Sequence, residues 1–167
     1  MENVMKTIKS ILLGSLFALT SSAYAHEYNV GDLQIDQPWS KQVPPTSQVA
    51  AAFFNVMNHS NNNDELLSAS SPIAEKTELH AHMHEDGMMK MREVEIIDIP
   101  AHDLQALKPG GYHIMFFNLK EVPQLGESFS LTLTFKNASS VEIDVKVEEA
   151  TYIPEGMKEV EMNHNKH

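Results

Sequence analysis

Cysteine is absent from all 167 residues. That excludes disulfides, thiolate zinc sites, catalytic thiols, a lipid-bearing cysteine within these residues and a blue-copper centre, which needs a thiolate. Basic residues are few, with 12 Lys and Arg against 23 Asp and Glu and a net charge of −11. Nucleic acid and anionic lipid surfaces, which need clustered cations, are therefore excluded as partners. Long apolar runs are missing as well. The longest, Ile11 to Thr20, is too short for a membrane span of about 20 residues. Against these absences stand 10 Met and 9 His. A thioether set and an imidazole set with no thiol is the most informative feature of the composition.

The first 25 residues read as a signal peptide. Lys6 and Lys9 form a positive start, Ile11 to Thr20 an apolar centre, and Ala23-Tyr24-Ala25 an A-x-A cleavage site. Cleavage after Ala25 removes Glu2, Lys6 and Lys9, leaves a more acidic chain beginning at His26, and keeps every histidine. The expected product is periplasmic and monomeric, with no membrane anchor. Residues 26–153 then form one domain, and residues 154–167, which lack a core pattern, a flexible Met/His-containing tail.

That domain reads as all-β. Phe129, Leu131, Leu133 and Phe135 alternate with Ser and Thr, and Val141, Ile143, Val145 and Val147 alternate with charged residues. Each is a period-2 strand with one buried face, and Lys136 to Ser140 joins them as a hairpin. Further strands are expected at 48–57, 66–69, 77–84, 88–94 and 112–119. Asp86-Gly87 is a strong hairpin turn. Pro109-Gly110 suits a type II turn with positive φ at the glycine. Short strands at this spacing predict a Greek-key β-sandwich.

The chemistry concentrates around the first of these turns. His80, His82 and His84 occupy alternate positions and share one face of a strand. A two-residue turn at Asp86-Gly87 would set His84 opposite Met89 and His82 opposite Met91, with His80 diagonal to Met91. His113 and Met115 share a face just after the second turn, at the expected end of the sandwich. Thioethers are soft, neutral and need no deprotonation, so they favour Cu(I) over Zn(II) and Ni(II), while imidazole accepts either copper state. Two His and two Met would hold Cu(I) against proton competition from imidazole alone.

From Glu78 to Lys120 the sequence resembles the periplasmic copper A chaperone family, PCu(A)C. That family's pattern is His, ten residues, Met, twenty-one residues, then His-x-Met, and His80, Met91, His113 and Met115 satisfy it. The strings MKMREVE and LKPGGYHIM are also similar to the family's, and weaker similarity runs from Gly31 to Val147, including Asp36-Gln37-Pro38-Trp39-Ser40. The resemblance implies a cupredoxin-like sandwich and a Cu(I) site formed by those four residues. It further implies delivery of copper to the CuA subunit of cytochrome c oxidase or another periplasmic copper-assembly protein. The chain departs from the family at His82 and His84, where Met or non-ligating residues are usual. His82 lies on the ligand face, where it could replace a Met, expand the site or admit Cu(II) and Zn(II).

Weaker candidates are Met157, Met162, His164 and His167 in the tail, and His26. As a mature N-terminus His26 would pair an α-amine with an imidazole, a nitrogen chelate suited to a second copper as Cu(II). His59 and His102 read as surface residues, Met57 as packing and Trp39 as a core or edge anchor. Two rival functions remain at this level. One is a copper oxidase or oxygenase built on His26; the other is a structural sandwich that only scavenges metal.

Overall fold

The computed structural model describes residues 27–85 and 87–154. His26, Met157, Met162, His164 and His167 lie outside these residues, as does the expected signal segment. Among the described residues eleven strands follow one another. They are β1 (Glu27–Val30), β2 (Leu33–Lys41), β3 (Val49–Asn58), β4 (Asp64–Ser70), β5 (Ala74–Glu85) and β6 (Met88–Glu93). Then come β7 (Ile97–Ile99), β8 (Leu104–Leu107), β9 (Tyr112–Leu119), β10 (Ser128–Phe135) and β11 (Ser140–Glu148). Among the described residues no helix is long and apolar enough to cross a membrane.

The strands form one hydrogen-bonded path, β6-β5-β9-β8-β3-β2-β11-β10-β4-β7, with β1 on β2 and a further β9–β3 pairing. The path doubles over on itself. Phe116 of β9 meets Phe129 of β10 edge to face at 5.4 Å although their strands are not paired. Between the two halves lie Phe54, Val56, Leu66, Ile97, Ile99, Ile114, Leu131, Leu133 and Val145, all essentially solvent-free. Burying each such side chain contributes about 1.5–3 kcal/mol. β10 and β11 alternate buried and open positions as their sequences require.

The expected turns form. Glu85 pairs with Met88, leaving two residues in the hairpin, and Gly87 has φ of 77°. Gly110 has φ of 79°, a conformation that costs a residue with a Cβ free energy. The sequence reading missed β1, β2, β7 and β8. In β2 the alternation breaks at Gln37, whose φ is 52°, and the pairing with β3 shifts there. Leu33 and Ile35 therefore face the main core, whereas Trp39 is buried outside it, against Phe53 and Tyr152.

Candidate metal centre

Strand alternation sorts the His and Met residues. In β9, Ile114 and Phe116 enter the core, so His113, Met115 and Phe117 stand on the opposite, outward face. In β5, Leu79 points inward and His80, His82 and His84 outward, and in β3 Phe53 shares that outward face. His113 and Met115 are the second and fourth residues of β9, directly after the Pro109-Gly110 turn, so they sit near that end of the strand as well as on its outward face. They lie on the outer surface of one sheet, beside the Pro109-Gly110 turn, because their parity in β9 is opposite to that of the core residues.

Register brings the histidines together. β5 runs antiparallel to β9, with His80 opposite His113 and Glu78 opposite Met115. β6 covers the other edge of β5, with His82 opposite Met91 and His84 opposite Met89, as the turn predicted. The His113 ring centroid is 5.8 Å from that of His80 and 5.2 Å from that of His82. Phe117 flanks His80 at 5.7 Å and Phe53 flanks His113 at 6.2 Å. These rings keep two outward-facing imidazoles dry, with His80 8% and His113 2% exposed. The methionines of β6 are open by contrast, Met89 at 55% and Met91 at 47%, while Met115 is half-buried.

Hydrogen bonds fix which nitrogens are available. His113 Nδ1 lies 3.0 Å from the Gly111 carbonyl, which can only accept, so Nδ1 carries the proton and Nε2 keeps a lone pair. Burial also pushes the His113 pKa below its ordinary value, favouring the neutral ligand form. His80 Nε2 donates to Glu78 at 2.6 Å, which leaves Nδ1 as its lone-pair nitrogen. Bonds from His80 and then Lys76 hold the Glu78 carboxyl below the usual carboxylate range. A carboxylate on the far nitrogen of an imidazole orients the ring and fixes its tautomer. His80 Nδ1 and His82 Nδ1 are both buried without a hydrogen-bond partner. Such orphans are costly unless something else satisfies them.

A shallow cavity of about 160 Å³ opens here, lined by His82, Met91, His113 and Met115 together with Lys41, Ala51, Phe53, Pro109 and Gly110. His80 stands behind it. Among the described residues no three His, Asp or Glu side chains gather as a metal cluster. The sequence reading overlooked Glu78 as the partner of His80. Its signal was present in the alternation of Lys76, Glu78 and His80 on one strand face. His59 and His102 are exposed, bonded to Gln34 and Asn61 and remote from this cluster.

Comparison with known proteins agrees with this architecture. The family described as "Putative lipoprotein LpqE-like" matches residues 33–147. "Putative lipoprotein Lxx21020" of Leifsonia xyli subsp. xyli is 30% identical over 91% of this chain and 93% of its own length. Among solved structures, the copper-bound PCuAC domain from PmoF2 superposes with a TM-score of 0.65 at 25% identity, covering 74% of this chain and 98% of that domain. The Cu(I) form of DR1885 from Deinococcus radiodurans follows with a TM-score of 0.59 at 26% identity, covering 80% of this chain and 87% of that protein. The all-β fold is thus that of the cupredoxin-like PCuAC domains, and the chain belongs to the LpqE-like family.

Proposed function

We propose that this protein is a periplasmic copper metallochaperone, exported by cleavage after Ala25, that holds Cu(I) through His80, Met91, His113 and Met115. One observation carries the reading. A buried imidazole pair with lone pairs fixed by Glu78 and Gly111 stands beside the exposed Met91 and half-buried Met115 thioethers, and its free nitrogen on His80 has no protein partner. The copper-bound relatives in structure support the choice of metal. Copper arrives and leaves by ligand exchange, so no bond of a substrate is made or broken and the protein is a carrier rather than an enzyme. Neutral thioethers on an exposed strand suit release to a partner, which we take to be the CuA subunit of cytochrome c oxidase during its assembly. With no cysteine, the chain supplies no thiol reductant for that step.

The cavity lining favours a second version of the same site, in which His82 joins or replaces His80. A third imidazole would widen tolerance towards Cu(II). The test is competition for Cu(I) with a chelator. Met91→Ala/Met115→Ala should lose affinity by at least about a hundredfold, more than the 10–100-fold typical of changes to groups that only orient a ligand, with an unchanged circular dichroism spectrum. Unaltered affinity in the folded variant overturns the assignment. His80→Ala and His82→Ala in the same assay decide which imidazole ligates.

A further inference from the structure

The hairpin of β5 and β6 extends beyond the edge of β9 and carries a His–Met pair that the four-residue site does not use. His84 Nδ1 lies 3.2 Å from Met89 Sδ. Both side chains are exposed, on the same outward face as His82 and Met91, and directly opposite each other in the ladder. We propose that His84 and Met89 form a second, outer Cu(I) site at the hairpin tip. The proposal rests on the copper-carrier reading above.

The geometry suits a shared metal. Imidazole and sulfur bonds of about 2.0 and 2.3 Å, the lengths found at zinc, meet at slightly more than a right angle when their donor atoms are separated by this distance. A single pair is a weak chelate with open positions, which a solvent molecule or a partner's donor can fill. Binding through Nδ1 moves that nitrogen's proton to Nε2, an exchange that water mediates at an exposed ring. Copper keeps its oxidation state throughout. The next rung, His82 and Met91, lies two residues further along each strand, about 7 Å away. Beyond it stands the His80–His113 pair. The outward face therefore presents thioether and imidazole donors in graded burial, from exposed Met89 to buried His113. Copper can step inwards or outwards along it by successive ligand exchange, without passing through a bare aqueous ion.

The experiment follows the methionine methyl and histidine ring resonances of the full mature chain during titration with Cu(I) alone. At one equivalent the Met91 and Met115 methyls should shift. At two equivalents the Met89 methyl and the His84 ring should shift, and His84→Ala should abolish the Met89 response while leaving the first equivalent intact. A Met89 methyl that stays unmoved at two equivalents overturns the outer site and leaves the pair as an N–H···S contact. A Met89 response that persists in His84→Ala overturns it too. Unmoved Met91 and Met115 at the first equivalent would instead strike the inner-site reading, so the two failures are distinguishable.

Discussion

Two polar regions at different places on this sandwich make opposite use of burial. Around Asp64 the larger cavity, about 570 Å³, is lined by Asp32, Asn58, Ser60, Asn62, Asn63, Asn137 and their neighbours. Its buried groups are closed on each other. The Asp64 carboxylate accepts from the backbone N–H of Glu65, Asn137 and Ala138 at 2.7, 2.9 and 3.0 Å. The Asn58 side chain, wholly buried, donates to Asn62 and Ile99 and accepts from Ser60. Around His113 the cavity is smaller, yet two buried imidazole nitrogens are left without partners. A polar cluster that satisfies itself is a structural clasp. One that leaves lone pairs open beside soft sulfur fits the copper site proposed above. Cavity size and hydrogen bonding thus rank these two regions in opposite order.

The sharpest way to break that contrast is to open the clasp. Asp64→Ala strands three backbone donors and should cost about 3 kcal/mol of stability, read as a lower urea midpoint at unchanged slope. Cu(I) affinity, measured by chelator competition, should stay as it was. A drop in affinity would show that the two regions are coupled.

A smaller effect is expected at the open cluster. Glu78→Gln keeps an acceptor for His80 but loses the charge that holds the ring and Lys76. Cu(I) affinity should fall by about tenfold, with little change in the urea midpoint, because Lys76 is largely exposed. Equal losses in affinity and stability would make Glu78 a clasp residue like Asp64.

Acid should produce the smallest change. In the unfolded chain His113 takes up a proton near pH 6.5, whereas burial lowers its folded value. The unfolded state then binds more protons between the two values, so stability is fully present above about pH 6.5 and is lost as pH falls through the folded value. Glu78, lowered from 4.5, adds a loss of the same sign in more acid solution. Urea midpoints of the metal-free protein should decline over these windows, and His113→Gln should flatten the upper one.

Much of this arrangement was legible in the chain, for identifiable reasons. β10 and β11 announce themselves by alternation, β3 by an apolar run and β9 by the turn before it, and Asp86-Gly87 fixed the register that set His84 against Met89 and His82 against Met91. What escaped was non-local or too short. β7 and β8 span three and four residues, below the length at which a period shows. β2 hides its pattern behind the shift at Gln37. The facing of His80 and His113 depends on pairing between strands more than thirty residues apart in sequence, which no local spacing encodes. The placing of His82 on the cavity wall, with His80 behind it, depends on that same pairing.

The kink at Gln37 has an optical consequence. By reversing the parity of β2 it lays the lone tryptophan of the chain, Trp39, on the outward face, 4.7 Å from Phe53, whose ring in turn lies 6.2 Å from that of His113. Had the alternation of Leu33 and Ile35 continued unbroken, position 39 would have faced the main core, with the sheet between the indole and the histidines. Instead the indole, 2% exposed, is separated from the His113 imidazole by a single aromatic ring. Its emission is shielded from solvent quenchers, and copper held as proposed would lie within its range, so quenching of this one indole would report loading of the proposed site.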